Sequence, residues 1–365
     1  MIKVLYNGML LNGTYSGVQY TIKQLAEEAC KNSLSDIYFE QLYPDKVFKK
    51  EPNRMTRIFF EHFRMQKYFH SQNFHLLHCP GYILPWNWQY PSVVTIHDTI
   101  ALDFPKFCAD ANRAYFNLTL PRSIHRASKI IAVSNTVKND ILRRFVINPS
   151  KIEVIYHGID SIFREIDSKD ALEEVKRKYQ LPDKFILYVG NIEPKKNIER
   201  LVQAYSYLVQ QTGIPHSLLL VGQLAWKYQN VLRQIKHIDD SQRVRLLGYV
   251  PQEDLPSIYN LASLFVFPSL YEGFGIPPLE AMACKTPVIV SNTGALPETT
   301  KGCALLANPY SIESIAASMH QMLSDNLLRI NLTKEGLFHV KQFNWSNTWE
   351  KTAQLYHSLI KCSVL

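Results

Sequence analysis

The chain has 365 residues, 46% of them hydrophobic and 20% charged, which suits two globular domains and excludes a disordered chain. Lysine plus arginine (40) exceed aspartate plus glutamate (32) by 8, a balance that suits polyphosphate ligands or an anionic membrane. There is no basic run of five or more, which makes nucleic acid the weakest partner.

No apolar run approaches the roughly 18 residues of a membrane helix. The start, Met1-Ile2-Lys3-Val4-Leu5-Tyr6, reads as a strand and lacks a signal peptide's long apolar region, so a cytoplasmic location is expected. The six cysteines (Cys30, Cys79, Cys108, Cys284, Cys303, Cys362) are scattered without a C-x-x-C pair. That argues against a zinc ribbon or disulfide framework and for small buried hydrophobes.

Short apolar runs alternate with amphipathic segments along the whole chain. Strands are predicted at 3–6, 74–78, 93–97, 129–133 and 151–155, and again at 185–189, 217–221, 244–247, 263–267 and 287–290. Helices fall between them, for example at 18–30, 197–211 and 311–324, with a last one at about 345–361. The alternation predicts an α/β protein with parallel sheets. A glycine and a charged, Asp/Ser-rich stretch at 157–170 interrupt it and mark a boundary. Two Rossmann-like domains facing each other across a cleft are expected, with ligands beyond the carboxyl ends of the strands.

The loop Gly8–Val18 follows the first strand and opens a helix, yet it lacks the G-x-G-x-x-G spacing. No ribose-binding acid follows a second strand, so a nicotinamide enzyme fits poorly. At 54–67, Arg54, Arg57, Arg64 and Lys67 share helical spacing while Phe59 and Phe63 lie on another face. Such a helix can lie on an anionic membrane. It also describes an ordinary helix whose aromatics enter the core, and this is the favoured reading. Further on, His97 ends a strand beside Asp98 and is expected to protrude from the first domain.

The second half holds the strongest motif, Tyr271-Glu272-Gly273-Phe274-Gly275-Ile276-Pro277-Pro278-Leu279-Glu280-Ala281-Met282-Ala283. It places two glutamates eight positions apart across two glycines and a Pro-Pro pair, right after the apolar strand 263–267. Proline suits a helix's first turn, so Glu272 belongs on a glycine loop and Glu280 in the following helix, whose free N–H groups offer an anion site. Lys196, in the loop after strand 185–189, stands before another helix and can neutralise charge on a diphosphate.

These segments together resemble retaining glycosyltransferases of glycosyltransferase family 4, which have the GT-B fold. Besides 271–283, the resemblance rests on Gly190-Asn191-Ile192-Glu193-Pro194-Lys195-Lys196-Asn197, Val154-Ile155-Tyr156-His157-Gly158-Ile159-Asp160, Thr95-Ile96-His97-Asp98 and Ala132-Val133-Ser134. It implies an acceptor-side domain at 1–160, completed by a C-terminal helix at 345–365, and a donor-side domain at 161–344. It also implies that Lys196 contacts the donor diphosphate and that Glu280 accepts hydrogen bonds from the ribose hydroxyls. Glu272 then faces the transferred sugar with the backbone of Phe274 and Gly275. His97 contacts the sugar or phosphate side, and Gly17 is the close-approach glycine of a loop that flexes over the phosphates. Asn191 stands where a basic residue is common in the family, and it brings a hydrogen-bond donor without charge.

The resemblance thus implies a metal-independent hexosyltransferase without a cofactor, the nucleotide-sugar being a co-substrate. It is most similar to bacterial mannosyltransferases of surface-polysaccharide assembly, which points to GDP-mannose as donor and to a glycan or lipid-linked oligosaccharide as acceptor. UDP- or dTDP-sugars remain open, and base contacts to backbone are expected near Tyr249-Val250. A sugar-nucleotide epimerase of the same fold and a catalytically silent nucleotide-sugar binding subunit are the alternatives. Donor turnover separates the three.

Overall fold

A computed structural model describes residues 1–11, 17–32, 34, 36–104, 106, 110–238 and 243–363. The chain forms two compact units, Met1–Gly158 with Phe343–Leu365, and Ile159–Gln342. Each is built on one six-stranded, wholly parallel sheet.

In the first unit the strands are β1 (Ile2–Asn7), β2 (Ile37–Leu42), β3 (Leu76–Cys79), β4 (Ser92–Ile96), β5 (Lys129–Ala132) and β6 (Ile152–Val154). They are ordered β2-β1-β3-β4-β5-β6. The second unit contains β7 (Phe185–Val189), β8 (Ser217–Val221), β9 (Val244–Gly248), β10 (Leu264–Phe267), β11 (Val288–Ser291) and β12 (Leu305–Ala307). Their order is β12-β11-β10-β7-β8-β9. Strands β3, β4, β7, β10 and β11 are buried along their entire length, as befits parallel strands covered on both faces.

Two strands were not expected, β2 and β12, and both are outermost in their sheets. An edge strand has one neighbour and needs less apolar surface. β2 carries Glu40 and Gln41 with an exposed Tyr38, and β12 has three residues with Leu306 exposed.

One face of the first sheet is covered by the helices Gly17–Lys31 and Trp345–Ser363. Ile22, Leu25, Trp345, Trp349 and Tyr356 pack there with Val4 and Tyr6. His78 ties this layer together, its Nδ1 2.6 Å from Tyr356 Oη and its Nε2 2.8 Å from Thr95 Oγ1. Burial drives its pKa down to about 3, so the ring is neutral. Among the described residues no helix is long and apolar enough to cross a membrane.

The helix Arg54–Phe63 departs from the core reading. Phe59 and Phe63 are 52% and 58% exposed, and Phe60 turns inward instead, with its ring 5.6 Å from Phe48. The inward face is fixed by polar contacts, since Glu61 Oε1 accepts from Asn7 Nδ2 at 3.0 Å and Arg57 lies 3.7 Å from Glu61. Cys30 is exposed, unlike the buried Cys79, Cys284 and Cys303. Cys108 lies outside the described residues, as do positions 12–16 of the loop expected to flex over phosphates.

The chain leaves the first unit and returns to it at one point. A Cβ on Gly158 would lie 2.4 Å from the backbone nitrogen of Trp345, and Thr348 Oγ1 donates to Tyr156 O at 2.8 Å. Gly158→Ala therefore forces backbone apart and should cost about 1–3 kcal/mol, the usual range for overpacking. Denaturant unfolding of the variant against the parent checks this.

Candidate functional site

The order of the second sheet reverses between β7 and β10. From β7 the chain proceeds outward to β8 and β9, while β10 leads the other way to β11 and β12. The loops after β7 and β10 diverge from such a switch point and leave a crevice at the carboxyl ends, the general place for ligands in open α/β sheets. Lys196 is on the first of these loops and Glu272 on the second.

After β7 the chain makes a short 3-10 turn, Pro194–Lys196, and then reverses at Asn197 with φ 61° before the helix Ile198–Thr212. Asparagine tolerates this left-handed conformation. Its buried Nδ2 donates to Pro268 O at 3.1 Å and to Pro309 O at 2.7 Å, while Oδ1 accepts from Arg200 Nη1 at 2.9 Å. The clasp holds Lys196 against the end of β10. Lys196 Nζ reaches Glu272 Oε1 at 2.7 Å and lies 4.8 Å from the Phe267 ring centre.

Glu272 is 9% exposed. Burial pushes its pKa up, but the ammonium groups of Lys196 and then Lys195 outweigh this, and the net shift is downward. The carboxylate is thus held ionised inside the fold. Its backbone is fixed from the loop after β11, where Ala295 N–H donates to Glu272 O at 2.9 Å. Gly294 adopts φ 61° there, and a Cβ on it would lie 2.7 Å from Glu272 O.

Phe274 is buried, and its carbonyl accepts from Thr299 Oγ1 at 3.0 Å. Gly275, at φ 98°, turns the chain into the helix Ile276–Ala283, whose first turn carries the two prolines. A Cβ on Gly275 would meet Leu296 Cδ2 at 2.4 Å, so glycine is required for both conformation and space.

Glu280, on that helix, is buried and accepts from Tyr259 Oη at 3.0 Å through Oε2. Burial raises its pKa to about 7; the Tyr259 hydrogen bond opposes the rise and Asp160 adds to it. In the same unit a cavity of about 490 Å³ is lined by Gly222, Gln223, Leu224, Leu246, Leu247, Gly248 and Tyr249 at the ends of β8 and β9. Asn191 is exposed on the neighbouring loop, where Ile192 pairs with Leu224 and Tyr188 Oη donates to Asn191 O at 3.1 Å.

His97 and Gly17 belong to the first unit. Instead of protruding, His97 is 8% exposed with both ring nitrogens engaged. Nε2 lies 2.7 Å from Pro80 O and Nδ1 lies 3.1 Å from His157 Nε2. A carbonyl only accepts, so neutral His97 donates through Nε2 and its Nδ1 accepts from His157. Burial lowers both pKa values, and the two rings stack at 5.1 Å. Asp98 accepts from Tyr82 Oη at 3.2 Å and from Ile100 N–H at 3.1 Å. Gly17 is exposed at the start of its helix, with no described atom within 4 Å of a Cβ placed there.

The structure brings the expected Lys196 and Glu272 together, with Glu280 on the helix that follows, and adds Asn197, Tyr259, Gly294 and His157, which hold expected residues in place and which the sequence reading did not single out. The left-handed Asn197 had a signal, an asparagine between a turn and a helix. The others act across long sequence separations and gave none. Among the described residues no group of three or more His, Cys, Asp or Glu side chains is gathered for a metal ion.

Residues 17–162 match the family described as Glycosyltransferase Family 4, and residues 168–337 match Glycosyl transferases group 1. The O-antigen chain mannosyltransferase B of Escherichia coli is 35% identical over 78% of this chain and 74% of its own length. The serotype-specific mannosyltransferase WbdA of the same species is 32% identical over 78% of this chain but only 35% of its own. The chain thus spans about a third of that longer relative. In fold it is similar to a sucrose-phosphate synthase from Thermosynechococcus elongatus, with a TM-score of 0.79 and 22% identity over 99% of this chain and 100% of that one.

Glu280 gives the site a pH signature. Its folded pKa of about 7 lies above its ordinary 4.5, so the folded state holds the proton more tightly. Its contribution to stability is fully present below about pH 4.5 and is lost as pH rises through about 7. At about 1.4 kcal/mol per pH unit the loss reaches about 3 kcal/mol. Glu280→Gln should remove this slope, as measured by urea unfolding of both proteins from pH 4.5 to 8.

Proposed function

Because the chain belongs to glycosyltransferase family 4, we propose that it moves mannose from GDP-mannose to a hydroxyl of a growing surface polysaccharide, with retention at the anomeric carbon. The observation that carries the reading is the Lys196–Glu272 pair at the switch point of the second sheet, with Glu280 on the helix beyond. The names of the two mannosyltransferase relatives support mannose. The name of the O-antigen chain mannosyltransferase also supports a glycan chain as acceptor.

In this reading the donor lies across the ends of β7 and β10. Glu280, as carboxylate, accepts from the ribose hydroxyls; vicinal hydroxyls suit its two oxygens. Lys196 turns part of its charge from Glu272 to the diphosphate, so no metal ion is needed to offset the leaving group. Asn191 adds a neutral donor at the loop's rim. Glu272 stays ionised and faces the sugar with the Phe274–Gly275 backbone, where its charge favours an oxocarbenium-like transition state. The bond from the anomeric carbon to the diphosphate oxygen breaks, and the acceptor oxygen bonds to the same face. Its proton passes to the departing phosphate. His97 shapes the first unit's strand end through His157 and Pro80.

The chemistry is cytoplasmic in this reading, where nucleotide-sugars are the co-substrates. Thermal unfolding against GDP, UDP, dTDP and ADP tests the donor. GDP at about a hundredfold over its dissociation constant should stabilise by roughly 2.7 kcal/mol, and Glu280→Ala should lose the response. A response to UDP or dTDP alone would overturn GDP-mannose. Lys196→Ala should lower kcat about 100–1000-fold, the loss expected for one electrostatic stabiliser. An inverted anomeric centre in the product would overturn retention.

A further inference from the structure

The first sheet has its own switch point, since the chain goes outward from β1 to β2 and returns to β3 on the other side of β1. Beside it, toward the sheet edge, a cavity of about 400 Å³ lies at the carboxyl ends of β1 and β2. That volume falls within the range of about 300–1,000 Å³ usual for small-ligand sites. Leu11, on the loop after β1, and Tyr43, directly after β2, both line it. The two segments are in contact, for a Cβ on Gly8 would lie 3.0 Å from Tyr43 Cδ1. Phe48 lines the cavity as well, and buried Phe60 braces its ring edge-on at 5.6 Å.

The charges of this cavity cancel. It is lined by three lysines, Lys23, Lys49 and Lys50, and by three carboxylates, Glu27, Asp45 and Glu51. Lys23 Nζ lies 3.6 Å from Glu27 Oε1. In a chain with a net charge of +8 such a balance selects against two ligand classes. A phosphate would meet three carboxylates, and an apolar ligand would strip water from six charged groups. A neutral chain of hydroxyls suits both signs, because carboxylates accept from hydroxyls and ammonium groups donate to them. The Tyr43 and Phe48 rings add apolar area for the C–H face of a sugar. We infer that this cavity is a remote acceptor subsite, holding a neutral glycan chain at a sugar other than the one that reacts. The inference rests on the reading of a glycan acceptor and adds a preference for longer chains.

Transfer from GDP-mannose to a manno-disaccharide and a manno-tetrasaccharide by the full chain tests it. The tetrasaccharide should have the lower KM by about a hundredfold, as two charge-assisted hydrogen bonds would give. Asp45→Asn and Lys50→Gln should each cut this ratio about tenfold, and the double variant should bring it to about one. Both side chains are exposed, so the melting temperature and its response to GDP should match the parent's. Lys334→Gln/Glu335→Gln, which alters a cavity of the second unit, provides the control and should keep the parent's ratio.

Equal KM values for the two acceptors in the parent, a ratio unchanged in the double variant, or an equal loss in the control would each overturn the inference. A parent that responds to GDP yet transfers to neither acceptor would count against the proposed reaction instead. Calorimetry with the tetrasaccharide and no donor then decides the subsite. Binding by the parent that weakens about tenfold in Asp45→Asn would sustain it, and absence of binding would overturn it.

Discussion

Glu272 is 9% exposed and keeps its charge because a cation stands beside it, Lys196 at 2.7 Å. Removing one member of such a buried pair typically costs about 3–5 kcal/mol, because the other charge is left without water or partner. With the hydrogen bonds Leu270 N–H to Lys195 O and Asn197 Nδ2 to Pro268 O, this contact joins the loops leaving two adjacent strands, β7 and β10. The remaining devices of the site serve it. Asn197 folds the lysine back by gripping two carbonyls, and Gly294 gives room for the Glu272 backbone to be held from a third loop. The pair leaves this place with a fixed negative group and a cation that balances it at 2.7 Å.

The two units use strand ends differently. In the second, the ends carry ionised groups whose charges are balanced locally. In the first, they carry imidazoles kept neutral by burial: His78 between Tyr356 and Thr95, and His97 between Pro80 and His157. Each ring has one donor and one acceptor, and both are used within the unit. These histidines act as clasps between a sheet and its surroundings, whereas Lys196 and Glu272 of the second unit form an ion pair.

Much of this was legible in the sequence because it is local. Glycines and prolines at 273–278 specify a loop and a helix start within a dozen residues, and fully apolar runs such as 185–189 specify central parallel strands. Edge strands β2 and β12 were missed because half-exposed strands lack that signature. Phe59 and Phe63 were assigned to the core because helical spacing gives a face but not its direction. The direction is set by Asn7, far away in sequence, which bonds Glu61 and turns the helix. Tyr259, His157 and Gly294 were silent for the same reason, since each acts on a residue that the fold alone brings near.

The meeting of Gly158 with the Trp345 backbone bears on how the chain is made. Residues 159–342 form a continuous insertion whose two ends sit side by side, within a unit that is itself discontinuous. During synthesis the six strands of the first sheet emerge early, yet Tyr6, Ile22 and His78 lack their cover until Trp345, Trp349 and Tyr356 follow. The second unit is complete before that. The last cover of the first sheet's face is therefore translated only after the whole of the second unit.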